Sequence, residues 1–288
     1  MKAPFSNYLE SVASGLKKLI GLLGKDYDYV SALATDSKGL MVRVSQTNRS
    51  VSGHTLTTER GIVIRVHLKD HYSEYALDRF DPQDPEASYQ LIRQELLKQE
   101  ELLKLTKSQM YKTGALSDEP CRLFVEKETV ELPESCDVEG LLAFMTELSD
   151  SGMKMSDEAR DVRVTVQSTH ISKIFLTANR DLRQSYVYSE ATVIPIVSDG
   201  KKTDFGYSGV SDLCGPELFK ELRGCVDAGM KQALDSLHAS PVEPGEYTII
   251  TSPEVTGLIA HEAFGHGVEM DQFVTGRALG AQYIGNRV

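Results

Sequence analysis

Residues 162–197 read VRVTVQSTHISKIFLTANRDLRQSYVYSEATVIPIV, and this stretch decides the fold class. Segments 162–166, 171–177 and 186–197 are rich in β-branched and aromatic residues at close to period two, the pattern of half-buried strands. Asn179-Arg180-Asp181 and Asp199-Gly200 supply turns, and 205–207 is a further strand candidate. Helices flank this block. Residues 138–148 precede it as one. A second starts near Pro216, a favoured first helical position, and carries an apolar face of Leu218, Leu222, Cys225, Val226, Met230, Ala233, Leu234 and Leu237. Cys225 is read as a core residue.

The first hundred residues repeat that order. Phe5, Leu9, Val12, Leu16, Leu19, Ile20 and Leu23 recur at three- and four-residue spacing and predict a helix over 4–23, with Gly24 as a left-handed stop. Strands are expected at 29–34 and 40–44, separated by a turn at Asp36-Ser37-Lys38-Gly39, and at 61–67. The prolines of Asp81-Pro82-Gln83-Asp84-Pro85 break the chain before a long, charge-dense helix over 86–110. The expected architecture is α+β: antiparallel sheets with helices packed on one face. Pro241-Val242-Glu243-Pro244-Gly245 reads as a linker. Beyond it, Tyr247-Thr248-Ile249-Ile250 is expected as a strand, and Ser252-Pro253 announces a helix as N-cap and first residue. The domains are therefore 1–240, a linker at 241–245, and the start of a second domain over 246–288.

Composition narrows the function. The 288 residues carry 31 Lys and Arg against 42 Asp and Glu, a net charge of −11, which disfavours a nucleic-acid partner. No apolar run approaches the ~18 residues of a membrane span. Glu10, Lys17 and Lys18 interrupt the N-terminal apolar pattern, so it reads as an amphipathic helix and not a signal peptide. Four scattered cysteines without a C-x-x-C pair suit reduced thiols, and the expected compartment is the cytoplasm. No phosphate-binding glycine loop is present.

One segment carries chemistry. The helix after Ser252 contains His261-Glu262-Ala263-Phe264-Gly265-His266, an H-E-x-x-x-H pattern. Five residues turn a straight α-helix by about 140°, so the two imidazoles would diverge. They meet only if the helix takes a π-type bulge or ends between them, and Gly265 and Gly267 are placed to allow it. Neutral imidazole is a good zinc ligand, and zinc brings the pKa of a bound water toward 7. Glu262 beside the first ligand is suited to take that water's proton and pass it to a leaving amine. The bland alternative is two ordinary histidines near a helix end. His67-Leu68-Lys69-Asp70-His71 is a weaker candidate, whose histidines would share a face in a continuous strand. His54, His170 and His238 have no partner in sequence.

The runs Pro244-Gly245-Glu246-Tyr247-Thr248-Ile249-Ile250, Ser252-Pro253-Glu254, Gly257-Leu258-Ile259-Ala260-His261-Glu262-Ala263-Phe264-Gly265-His266 and Glu269-Met270-Asp271 together resemble the signature of the TldD/PmbA family of zinc metallopeptidases. The resemblance implies a cytoplasmic enzyme that cleaves unfolded or extended peptides. It implies His261 and His266 as zinc ligands, Glu262 as catalytic base, and a homodimer or a heterodimer with a paralogue. Such relatives continue into a large β-rich domain that supplies a cysteine as third zinc ligand. No cysteine follows Cys225 here, so no position matches that ligand. Glu269 and Asp271 are the substitutes within reach, and Cys214 and Cys225 precede the catalytic segment. The expectation is a fragment or truncated product in which 246–288 opens the metallopeptidase domain. The alternative is a non-catalytic substrate-docking or dimerisation module.

Overall fold

The computed structural model describes residues 1–105, 112–274 and 277–286. Two compact units emerge, one of Met1–Thr106 with Ala115–Ala239, the other of Lys107–Gly114 with Ser240–Val288.

The larger unit is one sheet with helices on one face. In chain order it runs α1 (Asn7–Leu23), β1 (Tyr29–Val44), β2 (Arg49–Ser52), β3 (Arg60–Leu68), β4 (His71–Leu77) and α2 (Pro85–Leu105). It continues with β5 (Cys121–Glu126), α3 (Val138–Met153), β6 (Ala159–Leu176), β7 (Arg180–Ser198), β8 (Thr203–Phe205), β9 (Ser208–Asp212) and α4 (Leu222–Leu237). Among the described residues nine strands join in one sheet, ordered β4-β3-β1-β6-β7-β5, with β2 on β1 and β8 and β9 on β7. Every pairing is antiparallel except β5 with β7. The α+β expectation holds, with one continuous sheet in place of two helix-and-sheet units.

Three corrections concern β1 and α1. The turn expected at Asp36–Gly39 does not exist: β1 pairs without interruption with β6 from Ala32↔Leu176 to Val44↔Val164. Asp36 has partners on both sides, Ser172 of β6 and Arg60 of β3, and Gly39 pairs with Thr169 of β6. Gly24 caps α1 at φ −64° and is not left-handed. Its N–H still closes on Ile20 O at 2.8 Å, an ordinary helical bond that needs no special residue. Ser6 is the N-cap, accepting from Leu9 N at 3.2 Å, so the helix starts at Asn7 and not at residue 4.

The unbroken register puts the even residues of β1 and β6 on one face, where two apolar cores form at opposite ends. Ala32, Ala34, Ile174 and Leu176 pack under Leu9, Leu16 and Leu19 of α1 and Ile92 and Leu96 of α2. Val42, Val44, Val162, Val164 and Val166 pack under Leu141 and Met145 of α3 and Leu222, Cys225 and Met230 of α4. Between the cores β6 presents Ser168, His170 and Ser172, all buried. This seam ties down the N-terminal segment. His170 Nδ1 lies 2.8 Å from Glu134 Oε1, and its Nε2 lies 2.9 Å from Pro4 O. Ser6 N–H donates to Ser172 Oγ at 3.1 Å. Buried polar groups are tolerated there because each finds a partner.

In the smaller unit Ser252 caps α5 (Pro253–Ala260), accepting from Val255 N, as the Ser-Pro pair predicts. Residues 247–250 form no strand, a correction. Ile249 and Ile250 are exposed and pair with no neighbouring strand among the described residues, and a lone extended segment has no ladder to satisfy its backbone. A short helix α6 (Met270–Val274) follows the motif. Met110, expected inside the long second helix, lies outside the described residues. Among the described residues no helix is long and apolar enough to cross a membrane.

Candidate metal centre

The helix of α5 does not continue regularly through the motif. His261–Gly265 form a π-turn, in which His266 N–H donates to His261 O across five residues. A 3-10 turn over His266–Val268 follows, and Glu269 leaves it with extended backbone (φ −64°, ψ 137°). Widening the turn takes up the angle that would separate the two rings. Their centroids stand 4.5 Å apart at an interplanar angle of 70°. The glycines are not what permits it. Gly265 has helical angles (φ −54°, ψ −53°), and positive φ among the described glycines occurs only at Gly200 and Gly285. A Cβ at Gly267 would meet nothing within 4 Å.

One ligand atom from each of His261, Glu262 and His266 falls within 4.8 Å of the others, and all three residues are exposed. Two ligands at zinc distance from one ion stand at most roughly 4.2 Å apart, so a small rotation of an exposed ring closes the remainder. The two imidazoles are donors that zinc accepts, and the Glu262 carboxylate lies beside them. His266 Nε2 faces Glu262 Oε2 at 3.6 Å, while His266 Nδ1 is held by Glu269 Oε1 at 2.8 Å. Sequence reading offered Glu269 as a substitute ligand; it sits behind the ring, on the nitrogen turned away from Glu262.

The other candidates separate. His67 is the penultimate residue of β3 and His71 begins β4, with Lys69 at φ 58° in the turn between them. His71 pairs with Leu68 and His67 with Tyr72 across the hairpin, so the two histidines lie on opposite faces. His238 Nε2 meets Glu158 Oε2 at 2.8 Å. None of the four cysteines lies within Ser240–Val288. Burial pushes the thiols of Cys136 and Cys214 up to about 11, helped by the carboxylates of Glu131 and Asp137 and of Glu217 and Asp212, so both stay neutral. Cys225, on the buried face of α4, is 6% exposed in the core, as its helical spacing predicts.

No protein-family model matches the chain. Solved structures do. A candidate modulator of DNA gyrase from Bacteroides thetaiotaomicron superposes with a TM-score of 0.67 at 11% identity, over 91% of this chain and 57% of that one. A similarly described protein from Thermotoga maritima gives 0.58 at 14% identity, over 81% and 50%. TldE from Thermococcus kodakarensis gives 0.53 at 15% identity, over 76% and 47%. The chain has the TldE fold. The resemblance to the TldD/PmbA family holds at that level. By sequence, a protein named "Metalloprotease" from Methanothermobacter thermautotrophicus is 31% identical over 96 residues, 32% of this chain and 21% of that protein. The chain thus spans about half the length of the solved structures it matches.

Proposed function

We propose that this chain carries the metal-binding and proton-transferring part of a zinc metallopeptidase, with His261 and His266 as ligands and Glu262 as general base. The observation that carries the reading is the π-turn, which brings both imidazoles and the intervening carboxylate to one point. The fold shared with TldE and the local identity to a protein named a metalloprotease support it. Zinc bound there supplies Lewis acidity for a carbonyl and for a water. Glu262, adjacent to the first ligand, accepts the water's proton and delivers it to the leaving amine nitrogen. The substrate in this reading is an extended peptide. A homodimer or paralogue heterodimer belongs to the same reading, and it places the enzyme in the cytoplasm.

The test is the chain exchanged with zinc, measured for metal content and for hydrolysis of an unfolded peptide. Roughly one zinc per chain and chelator-sensitive hydrolysis are expected. Glu262→Gln should lower turnover about 10²–10⁴-fold with zinc retained. Equal turnover by Glu262→Gln would remove the base. Failure to retain zinc, with His261→Ala and wild type indistinguishable, would remove the metal site and leave the docking module.

A further inference from the structure

We infer that Glu269 is a positioning residue, which holds His266 in the tautomer that leaves Nε2 free to bind metal. The inference rests on the metal reading above and assigns a role to a residue outside the converging three. Glu269 Oε1 lies 2.8 Å from His266 Nδ1. An ionised carboxylate only accepts, so Nδ1 must carry the proton. In the neutral ring the lone pair then sits on Nε2, the nitrogen 3.6 Å from Glu262 Oε2. The ring is therefore pinned from behind and presents its acceptor forward. A carboxylate behind a ligating imidazole also raises the basicity of the nitrogen in front.

Local structure explains why Glu269 reaches that nitrogen. On a continuous α-helix a residue three positions on would share a face with His266. Here the 3-10 turn ends at Val268, and Glu269 is extended. The chain turns outward at that point, and the carboxylate meets the ring edge. Glu262 does not perform this task, because it stands on the Nε2 side. The two carboxylates thus meet different nitrogens of one imidazole: Glu262 stands by Nε2 and Glu269 holds Nδ1.

The test has two readouts on the full chain. First, nitrogen-15 NMR of the histidine rings without metal should show His266 predominantly protonated at Nδ1, and Glu269→Ala should shift the proton toward Nε2. Second, zinc affinity, measured by competition with a chromophoric chelator, should fall about 10–100-fold in Glu269→Ala. Glu269→Gln, which keeps an acceptor oxygen without the charge, should fall between. Wild-type affinity and an unchanged ring in Glu269→Ala would overturn the inference. A chain that binds no zinc through His261 overturns the metal reading instead, and the tautomer then still decides whether Glu269 holds the ring. A variant that loses affinity with the ring proton unmoved would also refute the positioning role, because loss would then come from structure alone.

Discussion

Asp181 stands between two cations, with Arg183 Nε 2.7 Å from one carboxylate oxygen and Lys17 Nζ 2.5 Å from the other. Arg183 reaches on to Glu10 of α1 at 2.7 Å, so the cluster fastens α1 to β7. The Arg183 hydrogen bond first, and Lys17 after burial is overcome, hold the Asp181 carboxyl down to about 2. The folded pKa lies below the unfolded value near 3.9, so the contribution is complete above pH ~4 and disappears as pH falls through about 2. Its ceiling is about 2 kcal/mol. Asp181→Asn should therefore melt at a lower temperature than wild type at pH 6, with the two curves converging toward pH 2; a constant gap would contradict the assignment. None of this cluster was legible in sequence, because Lys17 and Asp181 are 164 residues apart. His261, Glu262 and His266 were legible, because six consecutive residues hold all three. Glu269 was visible, but its role depended on which ring nitrogen it would face.

At the scale of elements, periodicity located α1, α3, α4 and the strand segments within 162–197, although 162–166 and 171–177 are parts of one strand, β6, and Arg180 and Asp181 of the expected turn belong to β7. It failed at β1, where Asp36-Ser37-Lys38-Gly39 has turn composition. Gly39 has another task. The segment after β2 crosses the sheet there, and a Cβ on Gly39 would meet Thr58 Oγ1 and come within 2.8 Å of Thr55 N. Thr55 N–H is bound to Thr58 Oγ1 at 2.8 Å, and Thr55 Oγ1 lies 2.7 Å from Thr169 Oγ1, so the crossing segment cannot yield freely. Gly39→Ala should destabilise the larger unit by about 1–3 kcal/mol, read as a reduced denaturant midpoint with unchanged slope. Wild-type stability would show that the crossing is looser than this packing implies. The same logic corrects the motif glycines. They suggested backbone freedom, yet the π-turn forms with ordinary helical angles at Gly265.

For the whole molecule, the two cores lie on one sheet and belong to one unit, Met1–Thr106 with Ala115–Ala239. The motif lies in the other, where Val242, Ile249 and Ile250 are exposed and residues 240–251 form no helix or strand. Exposed irregular backbone is where proteases cut first. Limited proteolysis should nick within 240–251 and leave a folded fragment ending near Ala239, identified by mass spectrometry and a cooperative melt. Immediate degradation of that fragment would show that the larger unit needs the rest of the chain.

By itself the sequence determined the α+β class, the helices and strands with clean periodicity, and the three residues of the candidate centre, since each of these is written in near neighbours. It also required that the helix depart from regular pitch between His261 and His266, because five residues cannot share a face. Tertiary structure decided that the departure is a π-turn, that β1 runs unbroken, that one sheet carries both cores, and that Glu269 stands behind His266. Those outcomes depend on pairings and packing between residues distant in sequence, or on the direction of a side chain, and local propensity carries neither.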